Sequence, residues 1–126
     1  SVYKEEDTVV PRAELPALLK GVKETGLKYG FRSVCYGHAG DGNLHVNILR
    51  GDLSDHAWQT TLTEGIREIF QLVVQLGGTI SGEHGIGWVQ KPFMPIAFSS
   101  RQLQLFKHIK AVFDPKGILN PGKVID

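Results

Sequence analysis

With Cys35 as its one cysteine, the chain has no second thiol with which to close an internal disulfide. A lone cysteine of this kind reads as a small buried apolar residue and suits a reducing cytoplasm. No apolar run approaches the roughly 18–20 residues that a membrane span requires. The opening SVYKEEDTVV lacks the basic stretch and apolar run of a secretory leader. Charge of one sign is missing too: 14 Lys and Arg stand against 13 Asp and Glu, a formal +1 too near neutrality to point to nucleic acid or an anionic membrane as the main partner. Neither GxGxxG nor GxxxxGKS/T occurs, so a phosphate-cradling loop has no support. Repeats, low-complexity tracts and linkers are absent as well.

What remains is sufficient for one core. In 126 residues that are 41% apolar, a domain folds without disulfides or structural metals, and residues 1–126 read as a single domain. The text starts at a serine in mid-pattern, which reads as part of a longer protein.

The β-branched stretch from Asp7 to Val10 predicts a first strand, stopped by Pro11, which cannot donate to a ladder. From Arg12 to Tyr29, Leu15, Leu18, Leu19, Val22 and Leu27 recur at helical spacing, with Pro16 in the first turn and Gly30 as a stop. Residues 31–36 and 44–49 predict an antiparallel hairpin around a glycine-rich turn. Ser54 then caps a long helix with Leu62, Ile66, Ile69, Phe70, Val73 and Leu76 in one stripe, closed by Gly77 and Gly78. A short strand over Thr79 to Ser81 follows. A last helix runs from Ser99 to Phe113, with Leu103, Phe106, Ile109, Lys110 and Phe113 at spacings of three or four. Asp114 and Pro115 end it. This order predicts an α+β fold, a ferredoxin-like split βαβ with an antiparallel sheet, an extra C-terminal helix and an irregular tail.

Chemistry concentrates in GHAGDGNLH at 37–45 and SGEHGIG at 81–87. His38 and His45 flank the glycine-rich turn, so a hairpin closing between them brings both imidazoles to one end of the sheet. Glu83, just past the last strand, is a third donor. Two histidines and one carboxylate suit zinc, manganese or iron with a position left open for substrate. His84 adjoins Glu83, and neighbouring side chains of extended backbone face opposite ways, so one of the two can bind metal while the other transfers a proton. Lys91 is placed to meet an anionic substrate. Asp41 reads as a turn former, and His56 and His108 as ordinary surface residues. On the residues alone, a stand-alone ferredoxin-like metal- or ligand-binding module and a metal hydrolase stay open as alternatives.

In their order and spacing, GHAGDGNLH, SGEHGIG and DPKGILNPGK resemble the C-terminal cap or substrate domain of FAD-linked oxidases of the vanillyl-alcohol oxidase type. Within that family the likeness is to glycolate oxidase catalytic subunits, D-lactate dehydrogenases and D-2-hydroxyglutarate dehydrogenases. The resemblance implies oxidation of a 2-hydroxy acid to a 2-oxo acid, with hydride passing to FAD held mainly by a separate N-terminal domain. It implies zinc or manganese on His38, His45 and Glu83, and His84 as the base. Asn43 helps place the substrate and Asn120 lies near the flavin edge. Implied partners are the chain's own FAD-binding domain, against which an exposed apolar face docks, a small 2-hydroxy acid, and an iron–sulfur electron-acceptor subunit or domain. The implied location is cytoplasmic, peripheral to a membrane where the acceptor holds it there. Without the FAD domain, the chain alone is expected neither to hold FAD firmly nor to turn over.

Overall fold

Alternation along the first strand sets the architecture. In the computed structural model, which describes residues 3–126, β1 (Tyr3–Val9), β2 (Arg32–His38) and β3 (Asn43–Leu49) form one antiparallel sheet in the order β1-β3-β2. Both outer strands run antiparallel to β3 and hence parallel to each other, the arrangement of a split βαβ unit. The fold is α+β, as the order of elements predicts. Residues separate into two compact units, Ser1–His84 and Gly85–Asp126.

In the first unit, α1 (Leu15–Tyr29) and α2 (Asp55–Gln75) join the strands. A 3-10 turn over Arg12–Glu14 leads into α1, which ends where Gly30 adopts φ 77° and its N–H returns to the Gly26 carbonyl. Ser54 caps α2, its hydroxyl accepting from the Ala57 N–H at 3.2 Å. Ile66, Ile69, Phe70 and Val73 of α2 are buried, as are Leu18 and Val22 of α1 and Leu44, Val46 and Ile48 of β3. Each such side chain contributes about 1.5–3 kcal/mol by leaving water. Two expected members of the α1 stripe, Leu19 and Leu27, are exposed instead; Thr25 and Gly26 complete the buried ridge.

The strand expected over Thr79 to Ser81 is reduced to one bridge between Thr79 and Val9, with reciprocal N–H···O bonds of 3.2 and 2.9 Å. The next backbone donors are diverted. The N–H groups of Gly82, Glu83 and His84 all point to the Asp7 carboxylate, so no ladder continues along β1. Even so, Thr79 meets the β1 residue that also pairs with Asn43 of β3, placing the remnant where a fourth strand of a ferredoxin-like sheet belongs.

The second unit holds a 3-10 turn at Lys91–Phe93, the four-residue α3 (Met94–Ala97) and α4 (Ser100–Phe113). A reciprocal capping box between Ser99 and Gln102 starts α4. Leu103, Phe106 and Lys110 are half-buried, whereas Ile109 and Phe113, of similar spacing, are exposed. With Leu105 and Val112 they make an outward apolar stripe on α4, followed by exposed Ile118 and Leu119. Among the described residues, no helix is long and apolar enough to cross a membrane.

Candidate functional site

Strand register decides which side chains meet. The pairs Asp7–His45 and His45–Tyr36 put these three side chains in one row on the sheet face away from the buried Leu44, Val46 and Ile48. The next row holds Val9, Asn43 and His38, and the row on the other side holds Glu5, Asn47 and Val34. A glycine-rich turn over residues 39–42 closes the hairpin beyond them. Gly42 is required there: its φ is 75°, and a Cβ would lie 1.9 Å from the Val10 carbonyl oxygen.

His45 is the centre, only 5% exposed. Its ring stacks with Tyr36 at 5.2 Å and with His84 at 5.1 Å, and His38 approaches edge-on at 6.0 Å between centroids. Nε2 lies 3.2 Å from Glu83 Oε1. On the other side of the ring, Nδ1 lies 3.8 Å from Glu5 Oε1 and 4.0 Å from Asp7 Oδ1. The hairpin thus brings His38 and His45 together as expected, and Glu83 and His84 join them. The last two do not face opposite ways. Residues 82–84 are bent rather than extended, so Glu83 reaches Nε2 while His84 lies against the ring.

Asp7 causes that bend. Its Oδ2 accepts three consecutive backbone N–H groups, from Gly82 at 2.8 Å, Glu83 at 2.7 Å and His84 at 2.9 Å. Burial works to raise the Asp7 pKa, but these three donors together with the nearby His84 hold it below the ordinary carboxylate value. Gly82 leaves no room for anything larger: a Cβ would lie 2.6 Å from Asn43 Nδ2 and 2.8 Å from Asp7 Oδ1. Tyr36 donates its hydroxyl to Glu5 Oε2 at 2.7 Å. That hydrogen bond, then burial and the Glu5 charge, push the phenol above its usual range.

Several buried polar atoms on this face have no hydrogen-bond partner: Asp7 Oδ1, Asn43 Oδ1, His45 Nδ1 and Asn47 Oδ1. Such atoms are rare in folded proteins and call for a ligand or a nearby donor. Donor atoms of His38, His45 and Glu83 lie within 4.8 Å of one another, as do those of Glu5, His45 and His84. The first set matches the chemistry of a divalent ion with bonds of about 2.0–2.2 Å after small side-chain rotations. In the second, Glu5 is already engaged by Tyr36. The chain thus supplies a fitting donor set.

Lys91 and Asn120 belong to the second unit, where their partners are local. Lys91 pairs with Asp126, donates to the Gly122 carbonyl at 3.2 Å and lies 5.6 Å from the Trp88 ring centroid. Asn120 is exposed, with the positive φ of 47° that its turn demands. His56 and His108 are exposed on α2 and α4, and Cys35 is half-buried with its thiol pKa raised by desolvation. Sequence reasoning missed Asp7, Glu5 and Tyr36. Period-two alternation places all three on the face of His45 once the register is known, and only the register is hard to read.

Comparison with known proteins gives this arrangement its context. Residues 1–124 match the family described as FAD linked oxidases, C-terminal domain. The chain belongs to that family. It is 38% identical over 119 residues to glycolate oxidase subunit GlcD of Bacillus subtilis (strain 168), covering 94% of this chain and 25% of that protein. It is 41% identical over 119 residues to D-lactate dehydrogenase of Archaeoglobus fulgidus, with 94% and 26% covered. D-2-hydroxyglutarate dehydrogenase of Stutzerimonas stutzeri is 38% identical over 125 residues, with 97% and 27% covered. The chain therefore spans about a quarter of the length of these relatives.

Proposed function

We propose that the chain is the substrate domain of an FAD-dependent dehydrogenase or oxidase that converts a 2-hydroxy acid, of the glycolate, D-lactate or D-2-hydroxyglutarate type, to the 2-oxo acid. The observation that carries this reading is the convergence of His38, His45, Glu83 and His84 on one sheet face of an FAD-linked oxidase domain. Relatives named for three such acids support the substrate class.

His38, His45 and Glu83 would hold zinc or manganese, with the His45 Nε2 side of the ring turned to Glu83. When bound, FAD supplies the acceptor for the hydride that leaves the substrate carbon, and the divalent ion supplies positive charge that favours the deprotonated 2-hydroxyl. The chain's own residues do the rest. His84, half-exposed and stacked on His45, takes the hydroxyl proton. Asn43 orients the substrate from its place behind Gly82. In the second unit, Lys91 is the residue proposed for an anionic substrate and Asn120 the one proposed for the flavin. The outward stripe of α4, with Leu105, Ile109, Val112 and Phe113, docks on the protein's own FAD-binding domain. All 126 residues serve as one substrate domain, in a cytoplasmic enzyme that passes electrons to an iron–sulfur partner, peripheral to a membrane where that partner sits.

The test is His84→Ala in the intact protein that carries this chain. Flavin reduction measured by rapid mixing with a 2-hydroxy acid should slow by about 10²–10⁴-fold, with metal content unchanged. Reduction at the unaltered rate contradicts the assignment.

A further inference from the structure

The row of His45 borders a second row with a chemistry of its own. Glu5 faces Asn47 directly across β1 and β3, and its side chain is 30% exposed. Oε2 accepts the Tyr36 hydroxyl, while Oε1 lies 3.8 Å from His45 Nδ1 and 4.0 Å from His84 Nδ1. Asn47 meets the same phenol as a hydrogen-bond donor, and its Oδ1 is buried without a partner. Of the orphan polar atoms on this face, Asp7 Oδ1, Asn43 Oδ1 and Asn47 Oδ1 are all oxygens. Carboxylate and amide oxygens only accept. A ligand spreading over this face therefore meets acceptors.

We propose that Glu5 sets substrate specificity: its carboxylate, beside Asn47 Oδ1, turns away 2-hydroxy acids that carry a second carboxylate, so the substrate is a monocarboxylate of the glycolate or lactate kind. The inference rests on the reading of this face as a 2-hydroxy acid site. With the reacting hydroxyl at His84, the rest of the substrate has two neighbouring rows to follow. On the hairpin side the Gly82 backbone lies close over Asn43 and Val9, where even a Cβ would come within 2.8 Å of both side chains. The open direction is the row of Glu5. A distal carboxylate would there meet like charge in a setting only partly screened by water. Recognition of a second carboxylate calls instead for a lysine or an arginine. Among the described residues, no lysine or arginine pairs with Glu5, Asp7 or Glu83. Lys4 lies on the other face of β1, paired with Glu6, and Lys91 is held by Asp126 within the second unit. Arg32 shares the face of Tyr36 but stands four residues away along β2, about 13 Å at the rise of a strand. A hydrogen, methyl group or hydroxyl in place of the distal carboxylate meets no such repulsion.

The test uses the intact protein that carries this chain. Flavin reduction followed by rapid mixing over a range of concentrations gives a second-order constant for glycolate, for D-lactate and for D-2-hydroxyglutarate. The better monocarboxylate should lead the dicarboxylate by at least about tenfold. Glu5→Gln should shrink that ratio by about tenfold and Glu5→Lys should shrink it further, through the affinity for the dicarboxylate rather than the limiting rate. Calorimetric titration with the matching 2-oxo acids should show the same order of affinity, and the same response to Glu5→Gln, without turnover. A wild type that reduces its flavin with D-2-hydroxyglutarate as well as with either monocarboxylate, or better, overturns the inference and needs no variant to fold. So does a Glu5→Gln protein in which the ratio is unmoved. In both cases flavin reduction by a 2-hydroxy acid stands, and the proposed function with it. Flavin reduction by none of the three acids overturns the proposed function, and the inference falls with it.

Discussion

Two aspartates, one in each compact unit, shape the two glycine-bearing segments of the molecule by the same means and over very different distances. Asp114 follows α4 and organises its own neighbours: Oδ1 accepts from the Ile118 N–H at 3.1 Å, Oδ2 from the Leu119 N–H at 2.9 Å, and Lys110 pairs with it from the last turn of the helix. Asp7 accepts three N–H groups that lie 75 to 77 residues further along the chain. A carboxylate that caps locally makes a turn. One that caps at long range carries a loop onto a sheet face, where Glu83 and His84 meet His45.

The contrast predicts unequal consequences. Asp7→Ala leaves three N–H groups unanswered in a part-buried setting, and bonds to charged groups are worth about 1.5–3 kcal/mol each; a loss of at least about 3 kcal/mol in urea unfolding, together with loss of zinc binding, is expected. Equal unfolding midpoints for Asp7→Ala and Asp114→Ala would break the comparison. Next is Gly82→Ala, whose Cβ has no space beside Asp7 and Asn43. Overpacking of this kind costs about 1–3 kcal/mol, and the displaced loop should weaken zinc binding as well. Gly117→Ala in the other segment meets nothing within 4 Å and is strained only by its φ of 63°. About 1 kcal/mol is expected there, with zinc affinity untouched. The smallest effect is one of pH. Lys110 first, then the backbone N–H groups, hold the Asp114 pKa below its ordinary 3.8 against the opposing effect of burial. Its contribution is therefore complete above the unfolded value and is lost as pH falls through the lower folded one. Amide resonances of Ile118 and Leu119 should hold their positions down to pH values below 3.8 and shift only beyond.

The same contrast explains what could be read in advance. Helices announced themselves through Ser54, Ser99 and Gly30, and the hairpin through its glycine-rich turn, because the groups that decide them are within a few residues. Asp114 with Pro115 was legible as a stop for that reason. His38 and His45 shared a face by hairpin pairing alone. Asp7 read only as part of a strand, since nothing near it in sequence reveals that its partners are the backbone of residues 82–84. The same blindness explains the overestimated strand at Thr79 to Ser81 and the expectation that Glu83 and His84 face apart: both assumed a backbone free to extend, and Asp7 bends it. Leu19, Leu27, Ile109 and Phe113 have helical spacing but point outward, because periodicity counts apolar positions without saying how wide the covered face is.

The most direct test of the proposed site is zinc titration of the metal-stripped intact protein by calorimetry. The account predicts one equivalent bound by the wild type, abolished by His45→Ala and Glu83→Ala and retained by Asn120→Ala. Binding that survives both His45→Ala and Glu83→Ala would contradict it.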